Sequence, residues 1–267
     1  MDETSGSGRT TSSRSAPPGR QAPWWTPLAV IGGAVLVGAL DGLPLIGHLG
    51  SIGTLYHEAS HALVADVAAG EVRSITVFTD GGGVAVWDGV EVGRLVRFTV
   101  AAAGYLGTAV VALALLTGTL FGRSSRWVAL AAGGAMLVTW ALWVPFLARV
   151  EGVSGGDQRY TWFLAGAVSG LLVAISTLPD AWRRVALGVL ASSALAAAFD
   201  ASDAVVELNR GGAEVRTDAD TMADAIGSLG PLAWAWLLRL AVLAMTAAWA
   251  WWAGRRWLRA LPQPADE

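Results

Sequence analysis

The chain has 267 residues, 54% of them hydrophobic and only 15% charged, with a formal net charge of −3. That balance excludes a disordered chain, argues against an ordinary water-soluble domain, and offers no basic surface for nucleic acid. The absence of cysteine excludes disulfides, thiolate metal sites and cysteine nucleophiles.

Residues 1–23 are mostly Ser, Gly, Thr, Pro and Arg, with almost no large apolar side chain. They bury too little surface to offset the entropy of ordering and are expected to form a disordered N-terminal tail. An apolar block runs from Trp24 to Leu40. A second, from Leu43 to Ala69, carries all three histidines of the chain, His48, His57 and His61. The stretch from Val72 to Thr79 is then β-branched and aromatic, Asp80-Gly81-Gly82-Gly83 is a turn signal, and Val84, Val86 and Trp87 follow. This pattern predicts a β-hairpin over 72–88. Further apolar blocks cover roughly 95–121, 127–148, 161–178, 182–199 and 231–253. Each comes near the ~20 residues that cross a bilayer. Trp24, Trp25, Trp127, Trp162, Trp182, Trp234, Trp251, Trp252 and Trp257 lie near block ends, where amphipathic rings favour the headgroup zone. The expected fold is an all-α polytopic membrane protein with six or seven transmembrane helices and a small β-hairpin after the histidine-bearing helix. Its membrane-embedded domain spans 24–258, with a short C-terminal tail over 259–267. The lipid bilayer is its expected surroundings and nucleic acid is not an expected partner.

His57-Glu58-Ala59-Ser60-His61 reads H-E-x-x-H. On a helix, positions i and i+4 differ by about 40° in azimuth, so both imidazoles can point at one ion. Glu58 projects to the side, where it could hold a water and take its proton. Leu55, Tyr56, Ala59, Ala62, Leu63 and Ala65 contain no helix breaker. Two histidines and a glutamate inside an apolar span are costly without a function. His48 lies nine residues before His57, about 180° away on a continuous helix, and reads as an interfacial or core residue. A catalytic zinc site usually has three protein ligands and one open position. With no cysteine and no third histidine suitably placed, the missing ligand is expected to be acidic. Asp157, in Gly155-Gly156-Asp157, and Asp218 or Asp220, in Thr217-Asp218-Ala219-Asp220, all qualify on chemistry. Each has a structural alternative: Asp157 could cap the next helix, and Thr217 followed by Asp220 has the form of an N-cap with an acidic third position. Arg239, inside the last block, is expected to pair with an acid or to snorkel.

These residues resemble the site-2 protease family of membrane-embedded zinc metallopeptidases. The resemblance rests on His57-Glu58-Ala59-Ser60-His61, the strand-turn-strand at 72–88 and Ala103-Gly104-Tyr105-Leu106-Gly107. A compact bacterial, largely actinobacterial branch is similar through Val206-Glu207-Leu208, Thr217-Asp218-Ala219-Asp220, Met222-Ala223, Pro231, Trp234 and Trp236. The resemblance implies Zn2+ held by His57, His61 and Asp218, with Glu58 as general base. It also implies a metalloendopeptidase in the bacterial plasma membrane, acting on a membrane protein or peptide substrate. The chain departs from the family pattern at Ser60, where Gly commonly precedes the second His, and in lacking an Asn/Pro-rich Asp-Gly segment. A non-hydrolytic transporter or membrane metal-binding protein is the alternative, and it has no need of a base at Glu58. Two His and a carboxylate also suit Fe(II).

Overall fold

The structure is a computed structural model and describes residues 26–39, 44–68, 70–88, 92–122, 124–145, 153–211 and 215–260. Its order is α1 (Thr26–Ala39), α2 (Pro44–Ala68), β1 (Val72–Val77), β2 (Gly83–Trp87), α3 (Arg94–Phe121), α4 (Ser125–Trp143), α5 (Gly155–Thr177), α6 (Asp180–Gly211), α7 (Asp218–Ile226) and α8 (Pro231–Ala260). Each apolar block of the sequence contains a helix, and the block over 127–148 leaves its helix at Trp143. Among the described residues, α3, α4, α5, α6 and α8 are long and apolar enough to cross a membrane. The molecule is a helical integral membrane protein. The tail expected over 1–23 and residues 261–267 of the expected C-terminal tail lie outside the described residues. Arg259 and Ala260 continue α8.

Small side chains bring the helices together. Ala101, Ala102 and Ala109 of α3 pack with Ala198 of α6 and Ala235 of α8, and Ala191 of α6 meets Leu113 and Leu116. In lipid, apolar burial does not drive helices together, so close backbone approach and dispersion carry the packing. Large apolar residues such as Leu137, Phe163, Val173 and Leu240 point outward, as a lipid-facing surface requires.

The hairpin forms as its residues predict. Gly81, at φ +96°, supplies the left-handed turn residue, and Asp80 accepts a hydrogen bond from the Gly82 N–H. Thr76 faces Val84 and Val77 faces Gly83 in an antiparallel pair, with an irregularity between Val72 and Ser74. Ser74, Ile75, Thr76 and Val77 of β1 are all buried, so helices cover both faces of this strand. Its outer edge is closed by α5: Thr161 Oγ1 accepts from the Val77 N–H at 2.8 Å and donates to the Val77 carbonyl at 3.0 Å. The edge of β2 carries no further strand among the described residues.

Helix α6 runs past the end of its apolar block to Gly211. Polar residues continue it because they find partners: Asp203 pairs with Arg239 of α8, and Glu207 with Arg210. Arg239 thus meets the expectation of an acidic partner. At the opposite end of α6, Arg184 is 1% exposed. Its guanidinium pairs with Asp180 and donates to the carbonyls of Thr119 and Gly122, closing the C-terminal end of α3. Ser125, opening α4, also donates to Asp180. Arg184→Ala leaves those carbonyls without their charged donor. It is expected to destabilise the fold by about 2–4 kcal/mol, read as a lower thermal midpoint in detergent micelles. An unchanged midpoint would show that α3 and α6 do not depend on this arginine. Around the same end, Trp127, Trp182 and Trp251 are exposed, and Arg255 lies over the Trp251 ring. This is the arrangement expected where a bundle meets headgroups.

Candidate metal centre

His57 and His61 lie on α2, which is continuous from Pro44 to Ala68 across Gly47 and Gly50. One helical turn separates them, and their Nε2 atoms stand 3.0 Å apart. The His48 side chain lies outside the described residues. His61 Nδ1 bonds to the Val100 carbonyl of α3 at 2.6 Å. A neutral imidazole donating there keeps its Nε2 lone pair free. His57 Nδ1 is buried with no hydrogen-bond partner among the described residues. An unpartnered buried nitrogen costs stability.

The third group comes from α7. Ala219 and Met222 are buried against Ala101, Ala102 and Tyr105 of α3, and this packing fixes the start of the short helix beside α2. Thr217 is its N-cap, and Asp220 closes a capping box by accepting from the Thr217 N–H at 2.8 Å. The sequence pattern is therefore a true cap, and it orients the neighbouring acid. Asp218, the first helical residue, puts Oδ2 3.4 Å from His61 Nε2 and 3.7 Å from His57 Nε2. Burial works against its charge, but the imidazoles of His61 and His57 outweigh burial and hold its carboxyl well below the ordinary carboxylate range. The helix N-terminus also favours an anion there.

Of the three acids left open by the sequence, only Asp218 joins the histidines. Among the described residues, His57, His61 and Asp218 form the one cluster whose ligand atoms all lie within 4.8 Å of one another. Asp220 is committed to its cap. Asp157 accepts from the Thr79 N–H at 3.0 Å and from Ser154 Oγ at 2.6 Å, so it ties the hairpin to the start of α5.

The residues fit a metal ion. A Cβ built on Gly104 would lie 2.4 Å from both His57 Nε2 and His61 Nε2. Only a residue without a side chain leaves that space open. Metal–imidazole bonds are about 2.0–2.1 Å long, so the open volume in front of the two nitrogens is of the right size. Two imidazoles and a carboxylate are also a suitable donor set for zinc.

Glu58 is 6% exposed and lies beside the cluster, facing β2. A Cβ on Gly83 would stand 2.8 Å from Glu58 Oε1, so the strand approaches this acid closely. The four residues open onto a cavity of about 600 Å³, also lined by Tyr105 and Arg97. Ser60, a departure from the family pattern, is accommodated by a glycine: a Cβ on Gly107 would meet Ser60 Oγ at 2.5 Å.

The sequence pattern put Gly83 in the hairpin turn and Gly104 in a motif of the resemblance, but it gave neither a role at the metal centre. A glycine inside an apolar span is a signal of close approach, but it does not say what approaches. Compared with known families, the chain matches the one described as Peptidase M50B-like over residues 28–254. No curated protein and no solved structure matches it significantly.

Proposed function

Because the chain belongs to the Peptidase M50B-like family, and so to the site-2 proteases, we propose that it is a zinc metalloendopeptidase. It hydrolyses peptide bonds of membrane proteins or peptides within or at the edge of the bilayer. The observation that carries this reading is the meeting of His57, His61 and Asp218 around one open space, with Glu58 beside it. The family is one of membrane metallopeptidases; zinc, the ligand set and the role of Glu58 are our assignments. The bilayer is that of a bacterial plasma membrane, by resemblance to the compact bacterial branch.

His57, His61 and Asp218 would hold the ion. When bound, zinc lowers the pKa of water and polarises the scissile carbonyl. Glu58 takes the water proton on its carboxylate and passes it to the leaving amine. The close approach of β2 at Gly83 confines the Glu58 side chain while it does so. A helical substrate hides its carbonyls in its own hydrogen bonds, so it must be extended before cleavage. The open edge of β2 supports a mode for this: Gly83, Val84, Ala85 and Trp87 line the cavity, and an extended segment can add there as a strand.

Metal analysis of purified protein tests the ligand set. Wild type and Asp157→Asn are expected to carry stoichiometric zinc, and Asp218→Asn to lose most of it. Wild type is further expected to cleave single-span apolar peptides in proteoliposomes, followed by mass spectrometry. Loss of metal in Asp157→Asn but not in Asp218→Asn would reverse the assignment. Iron in place of zinc would change the metal and the chemistry with it.

A further inference from the structure

The cavity wall holds one cation to which the proposed reaction gives no task. Arg97 lies in the first turn of α3, three residues before Val100 and seven before Gly104. Seven residues are close to two helical turns, so Arg97 shares the face that Gly104 turns to the two imidazoles, about 10 Å away along the axis. It lines the same cavity as His57, Glu58 and Asp218. Its Nε is buried without a hydrogen-bond partner, and no acid among the described residues pairs with it. Other arginines of the chain differ in this respect. Arg216, which also lines the cavity, pairs with Asp224. The buried Arg184 pairs with Asp180, and the half-buried Arg239 with Asp203.

A guanidinium keeps its charge at any pH a cell meets, and it carries N–H donors in a planar fork that matches a carboxylate. Leaving such a group half-buried and unpaired is costly, so an anion of matching shape is the expected occupant. Lipid phosphate is one such anion. Arg94, exposed one turn earlier, is the arginine placed for it, whereas Arg97 lines the space in which the bond is cut. A peptide brings carboxylates into that space. An extended segment advances about 3.3 Å per residue, so three or four residues cover the distance from the metal centre to Arg97. We infer that Arg97 is a specificity-determining residue: its guanidinium takes a substrate carboxylate, of an acidic side chain or of the chain end, a few residues from the scissile bond. The inference rests on the reading of the cavity as a peptidase site.

The test uses the full chain in proteoliposomes with single-span apolar peptides, and mass spectrometry locates the bond that is cut. At each position up to about five residues on either side of that bond, the peptide carries Glu, Gln or Arg, with its C-terminus free or amidated. Wild type is expected to cut a Glu peptide, or a free-ended one, with KM about 10–100-fold below that of its neutral counterpart, as one charge-assisted pair provides. Which of the two it prefers names the source of the carboxylate. Arg97→Gln is expected to erase the preference. Where a side chain is the source, Arg97→Glu is expected to turn the preference to Arg at the same position. A merely structural arginine produces neither change. Equal KM for every charged and neutral pair, with cleavage intact, overturns the inference and leaves the peptidase reading standing. A preference that survives Arg97→Gln also overturns it, as does a loss in that variant of equal size on all peptides, which fits a lipid or structural contact. Wild type that cleaves no peptide removes the peptidase reading and this inference together.

Discussion

Glu58→Gln is expected to leave zinc content unchanged and to lower peptide hydrolysis by about 10²–10⁴-fold, the usual contribution of a positioned general base. The amide has nearly the shape of the carboxylate and fits the same space beside Gly83 of β2. It cannot take a proton from water. Glu58 stands outside the His57, His61 and Asp218 cluster, so its neutralisation removes no ligand. Metal analysis and cleavage in proteoliposomes, run on the same preparation, read the two effects separately. Retained hydrolysis would remove Glu58 as the general base, whereas wild type that holds zinc and cleaves nothing would favour a protein that merely holds an ion, since such a site needs no base.

Gly104→Ala tests the open space itself. The added methyl would stand 2.4 Å from both His57 Nε2 and His61 Nε2, in the volume that the ion needs. Zinc affinity is expected to fall by more than the roughly 10–100-fold of an outer-shell change, and hydrolysis to fall with it. The helix should not suffer for its own sake, because Ala is favoured over Gly by about 1 kcal/mol in a helix interior. Circular dichroism of the metal-free variant therefore separates a blocked site from an unfolded chain. Wild-type zinc content in a folded Gly104→Ala protein would show that the ion does not lie between the two imidazoles.

Much of this architecture was legible in the sequence because it is local. Long apolar blocks became helices, since a backbone in lipid must satisfy its own hydrogen bonds. The β-branched run around Asp80-Gly81-Gly82 became a hairpin because a glycine could take the left-handed turn conformation. The spacing of His57 and His61 fixed their common direction before any tertiary contact was known. Thr217 and Asp220 formed the capping box that their spacing suggests.

Other features were hidden because hydropathy does not record partners. The apolar block ended near 199, yet α6 continues to Gly211 on ion pairs such as Asp203 with Arg239. Asp157 had the chemistry of a ligand, and its carboxylate is spent on Thr79 and Ser154. Nothing near Asp157 in the sequence says that a hairpin turn 78 residues earlier would reach it.

The sequence by itself determined the helical membrane class, the pair of imidazoles on one face and the acid between them, because helical periodicity sets angles within a single element. Only the tertiary structure decided which carboxylate stands beside those imidazoles, which strand steadies Glu58 and why position 104 carries no side chain. Those facts depend on how α2 and α7 pack against α3 and how β2 packs against α2, and packing joins residues that no periodicity relates.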